Sequence, residues 1–149
     1  MADVSGFGIL LNLVASVTFP AGFGISQFDS EADPLDIPSL QIRDSSMGPN
    51  GDLISWSKAN PIKPTISVIP DSDDDINLSI LLEANRVSKG KVSAGDILTL
   101  SIIYPNNKTT TLSNGYITDG MVANAVASSG RIKVKTYIFA FQDVTSTRN

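Results

Sequence analysis

Asp71, Asp73 and Asp75 stand at alternate positions, the spacing that opens a calcium-binding loop. Such a loop also needs a central glycine and a distal bidentate glutamate, and neither follows here. Ser72 with Asp75 three residues on makes a helix capping box instead, and Asp73 to Asp75 put negative charge where a helix dipole is positive. Capping accounts for the same acids, so no metal site is expected. A second acidic group, Asp29, Glu31, Asp33 and Asp36, lies on a proline-broken segment and suits solvation or a basic partner surface better than catalysis. A third constellation is basic. Arg131, Lys133 and Lys135 alternate along one strand face and lead into Tyr137, Phe139 and Phe141, a pattern that offers cations to phosphates and rings to bases. The isoelectric point of about 4.6 lacks the basic bias of a dedicated nucleic-acid binder. These cations are therefore expected to pair with acids of a neighbouring strand or subunit.

His and Cys are absent, which removes the commonest neutral-pH general base, the thiol nucleophile and the usual structural zinc ligands. Acid–base work would fall on carboxylates, and none of them forms a recognisable catalytic pair. No enzyme activity, catalytic residue or cofactor is expected. Gly6-x-Gly8 and Gly22-x-Gly24 lack the third glycine and helix start of a dinucleotide site. The net charge of −4 hides a division, since residues 1–85 hold 12 acids and 3 bases while residues 86–149 hold 3 acids and 8 bases. Such asymmetry steers unlike surfaces of identical subunits together, head to tail.

The 149 residues fit one domain. No apolar run approaches the roughly 20 residues that span a bilayer, and no basic segment precedes the apolar stretch 8–19, so neither a membrane anchor nor a secretory signal is expected. Residues 1–6 read as an N-terminal arm. One helix reads clearly, over 71–85, with Ile76, Ile80 and Ala84 on one apolar row, Leu78, Leu81, Leu82 and Asn85 extending the stripe sideways, and Gly90 as a stop signal. Its polar face, including Asp74 and Asn77, is expected to point outward to a neighbour. Everything else reads as strand and turn: 8–19 with odd positions inward, 23–28, 64–70, 97–104 turning at 105–108 into 109–112, then 115–123 and 130–141. Residues 142–149 read as a polar tail. Between 29 and 61 lies a long segment poor in apolar residues, with a turn cluster over 47–52 between two short strand candidates. Loops of that length are usually functional or partner-ordered, the alternative being a floppy insertion with no partner. It is read as an interaction arm, with Glu31, Asp33, Asp36, Arg43, Asp44, Met47, Asp52 and Trp56 as contact candidates beside Arg131, Lys133 and Lys135.

This order of elements resembles an inner tail-tube protein of a contractile-tailed bacteriophage. The resemblance is carried by the strand pair over 8–28, the long loop with Pro49-Asn50-Gly51-Asp52, Lys63-Pro64-Thr65-Ile66-Ser67-Val68 leading into Asp71-Ser72, the helix with Asn77 and Leu81-Leu82, and the closing strands over 115–141. It implies a mainly β fold, two packed antiparallel sheets forming a small barrel or sandwich with one flanking helix and a long interaction loop. It further implies hexameric rings that stack into a hollow tube. The partners would be tail sheath, baseplate and terminator proteins, with double-stranded DNA passing without specific binding. The location would be the virion tail, assembled in the host cytoplasm. The alternative reading is a monomeric β-sandwich module for ligand binding or adhesion, which needs an exposed aromatic platform.

Overall fold

The computed structural model describes residues 8–28 and 34–147. The expected N-terminal arm lies outside them, as do Glu31 and Asp33. Nine strands and one helix follow in the order β1 (Leu10–Ala15), β2 (Phe19–Ile25), β3 (Leu35–Asp36), β4 (Arg43–Met47), β5 (Leu53–Ser57), β6 (Thr65–Val68), α1 (Asp73–Asn85), β7 (Leu98–Ile103), β8 (Thr109–Gly120) and β9 (Lys135–Ser146). The fold is mainly β. Its strands form two antiparallel sheets, one of seven strands in the order β2-β1-β7-β8-β9-β6-β3 and one made of β4 and β5 alone.

Alternation decides which face is buried. Leu11, Leu13 and Ala15 of β1, Leu98, Leu100 and Ile102 of β7, and Tyr137, Phe139 and Phe141 of β9 all point into a single core, which Leu78 and Leu81 of α1 enter from the other side. The odd-position face expected for the first strand is therefore the buried one. The rings of β9 are core residues and leave no stacking surface for bases. The large sheet curls until the chain leaving β2 meets β6 through one bridge, Phe28 to Val68, with Ile69 N–H donating to Gln27 O at 3.0 Å. Among the described residues β2 and β6 do not pair as strands, so the barrel is not closed and β2 is an edge strand with β1 as its strand partner.

Three expectations about elements change. The strands expected over 109–112 and 115–123 are one strand, β8, which absorbs its irregularity as a shift of register against β7 between Leu98 and Leu100. Residues 142–146, expected to be tail, continue β9, because the long β8 offers them partners from Ser113 back to Thr110. The final strand starts at Lys135, not 130. Arg131 and Lys133 lie in the preceding turn, tied back by Ala127 N–H to Arg131 O and Lys133 N–H to Ala125 O.

Where β8 crosses β9, only glycine fits. A Cβ on Gly115 would stand 2.2 and 2.6 Å from Phe141 ring carbons and 2.7 Å from the Ala140 carbonyl oxygen. Overpacking of this kind costs about 1–3 kcal/mol. Urea unfolding of Gly115→Ala is expected to show a loss of that size. An unchanged midpoint would mean that Phe141 does not pack over β8.

Candidate assembly surfaces

α1 begins as the sequence indicates, and its inward face is centred on Leu78 and Leu81 rather than on Ile76 and Ile80. The Ser72 side chain accepts from Asp75 N–H at 3.2 Å, and Asp75 Oδ2 reaches back to Asp71 N–H at 2.8 Å, one residue before the N-cap. The other Asp75 oxygen accepts from the Tyr137 hydroxyl at 2.7 Å and lies 3.7 Å from Lys135 Nζ. The Tyr137 hydroxyl thus donates to Asp75, and the Ser79 hydroxyl, 2.8 Å away, donates to Tyr137. Burial in the first place, joined by the hydrogen bond to Asp75 and its charge, outweighs the opposing Ser79 hydrogen bond and pushes the Tyr137 hydroxyl well above the usual tyrosine range.

Asp74 does not face outward. It is buried and accepts from the Ser26 and Gln27 N–H groups, both at 2.8 Å, where the chain leaves β2. Asn77 is only half-buried. These acids set the rotation of the helix. Asp74, Leu78, Leu81 and Asn85 form the inward row, and Ile76 and Ile80, expected inside, are 50% and 49% exposed. The helix exit is capped at Arg86, and the Lys91 ammonium binds the Glu83 and Arg86 carbonyls. Gly90 belongs to the following turn.

A second anchor was not legible in the sequence. Asp96, buried just before β7, accepts from Val17 N–H and Thr18 N–H, both at 2.8 Å, from the Thr18 hydroxyl, and from Asn85 Nδ2 at 2.9 Å. Asn85 Oδ1 in turn accepts from Asp96 N–H. One carboxylate thereby joins the β1–β2 turn, the end of α1 and the entry to β7. Burial alone would raise its pKa, but the donors from Thr18, Asn85 and Val17 outweigh it and hold the carboxyl below the usual aspartate range. A depressed folded pKa contributes stability that is complete above the ordinary aspartate value, about 3.9, and is lost as pH falls through the folded value. Asp96→Asn is expected to lose about 1–3 kcal/mol at neutral pH, through donors left unpaired, and to show a flatter acid limb of Tm against pH. A variant with the same acid limb as the parent would show that another carboxylate controls it.

The arm is where the contact candidates gather. Residues 43–57 form a hairpin, β4 paired with β5 from Arg43–Ser57 to Met47–Leu53. Met47 and Leu53 share one face near its tip, and Ile54, Trp56 and Ile42 lie on the other, each between 46% and 68% exposed. Asp44 is 3.8 Å from Lys58, and Arg43 donates to the Ser55 hydroxyl at 3.2 Å. Asp52 is exposed beside the tip, and Asp36 is exposed in β3, opposite Thr65. Arg131 and Lys133 are exposed in their turn while Lys135 is buried on Asp75, so the three cations expected on one strand face are not brought together. Lys135 pairs with Asp75 inside its own chain.

Among the described residues no group of three or more His, Cys, Asp or Glu is placed to hold a metal, and no helix is long and apolar enough to cross a membrane. An open groove of about 400 Å³ runs between α1 and the segment after β8, walled by Ile76, Ile80 and Val122 and floored by Asp75, Lys135 and Asn124.

Comparison with solved structures gives the class of fold first. The chain is similar to one in the anti-feeding prophage tube-terminating cap, at 14% identity and a TM-score of 0.59 over 100% of this chain and 93% of that one. It is likewise similar to a chain of the anti-feeding prophage baseplate, at 15% and 0.58 over 99% and 96%. A third similar chain comes from the sheath/tube terminator of an extracellular contractile injection system, at 13% and 0.56 over 99% of both. The fold is thus one used in contractile injection systems. A family model described as tail fiber protein gp32 matches residues 2–145, and the chain belongs to that family of structural tail proteins. No curated protein matches.

Proposed function

We propose that the chain is a subunit of the inner tail tube of a contractile-tailed bacteriophage, assembling through its hairpin arm into hexameric rings that stack around the path of the DNA. The observation that carries this reading is the arm itself. A two-stranded hairpin alone is marginal in water, yet β4 and β5 extend from the domain with apolar side chains exposed on both faces. An element of this kind is stabilised by a partner surface. The edge strand β2 supports the same reading, because sheet edges invite pairing and ring closure satisfies them. On this reading the tube meets sheath, baseplate and terminator proteins, the virion tail is assembled in the host cytoplasm, DNA passes without specific contacts, and the chain performs no catalysis.

The likeness to a tube-terminating cap supports a second reading, in which the subunit forms one ring that ends a tube without repeating along it. Deleting residues 44–52 separates an arm-driven assembly from any other. The truncated chain is expected to keep the β-rich circular dichroism and cooperative melting of the parent but to form neither tubes nor rings in negative-stain images. Tubes from the parent support the first reading and isolated rings the second, and assemblies formed equally well by the truncated chain would refute the role of the arm.

A further inference from the structure

Lys135, Asn124 and Asp75 meet at the floor of the groove beside α1. Lys135 is almost wholly buried, with 5% of its side chain exposed, and its Nζ donates to Asn124 Oδ1 at 3.4 Å. The amide carbon of Asn124 lies one C=O bond, about 1.2 Å, from that oxygen, so a small side-chain movement brings it to the roughly 3–3.5 Å at which the nitrogen could attack. Asp75, 3% exposed, sits 3.7 Å from the same Nζ and is held in place by the Tyr137 hydroxyl and the Asp71 N–H. The leaving side is also arranged. Asn124 Nδ2 donates to both oxygens of Asp71, at 3.1 and 3.2 Å, and Asn124 itself is exposed where ammonia can escape.

We propose that Lys135 and Asn124 form an intramolecular isopeptide bond after folding, with Asp75 as the proton carrier. Asp75 takes a proton from the Lys135 ammonium, and proximity in a fixed geometry supplies much of the rate that the uncatalysed reaction lacks. The freed lone pair attacks Cγ of Asn124, forming the Nζ–Cγ bond. Two protons in all pass from Nζ to Nδ2, the Cγ–Nδ2 bond breaks, and the nitrogen departs as ammonium, leaving Asp75 ionised as it began. No oxidant or cofactor enters. The product has a secondary amide in place of a primary amide and an ammonium, so the chain loses one positive charge and the mass of one ammonia. The turn carrying Arg131 and Lys133 becomes a covalently closed loop, and the new amide N–H remains beside Asp75 as a donor.

Intact-mass spectrometry of the folded full chain, followed by trypsin digestion, tests this. The expected result is a chain lighter than its sequence by one ammonia, with resistance to cleavage after Lys135 and a branched peptide joining Asn124 to Lys135. Asn124→Ala changes an exposed side chain and is expected to fold with its full sequence mass, as are Lys135→Arg and Asp75→Asn if they fold. A loss of one ammonia without the branched peptide would be a succinimide and would overturn the proposal. So would a parent chain that keeps its full mass on prolonged incubation, or a loss of water that places the link on an aspartate.

Discussion

The buried contact of Asp75 with Tyr137 and Lys135 is the constraint on which the rest depends. Taking a carboxylate and an ammonium out of water costs several kcal/mol per ion, and their attraction offsets this only with good geometry and further hydrogen bonds. Here those bonds come from Tyr137, Ser79 and Asp71 N–H. The cluster pins the first turn of α1 to the beginning of β9, while Asp74 pins the same turn to the end of β2. With two adjacent acids fixed inward, the helix has no rotational freedom left. Gly120 lets it approach closely, since a Cβ there would meet Leu82 and Tyr137 at 2.8 Å.

Two consequences reach the surface. Ile76 and Ile80 are turned outward on a helix whose inner face is already satisfied, and they wall the groove above Lys135. The hairpin arm lies outside the core, and among the described residues none of its apolar side chains joins the core cluster. Mutual coverage by copies of one chain is the simplest use for such surfaces. The charge division along the sequence favours unlike faces meeting.

The sequence made the alternating strands and the capping box legible, because both follow from local rules of spacing. It draws the apolar stripe of α1 too wide. Leu78 and Leu81 do face inward, but hydrophobicity alone also places Ile76 and Ile80 inside and leaves Asp74 outside, two residues along from Ile76 and so turned by about 200°. What overrides it is long-range pairing, with Tyr137 and Lys135 about sixty positions away, which no local pattern contains. Asp96 carries no local signal for the same reason, since Val17 and Thr18 lie almost eighty positions away. Alternation groups Lys135 with Arg131 and Lys133 only if the strand begins near residue 130. Its start at residue 135 places the first two cations in a turn and the third in the core.

The central claim is that the open surfaces of this fold are covered by further copies of the same chain. Light-scattering mass determination on the purified parent protein over a wide concentration range tests it most directly. The account predicts particles of six-chain mass and multiples of it as concentration rises. A strictly monomeric protein up to the highest soluble concentration would contradict it.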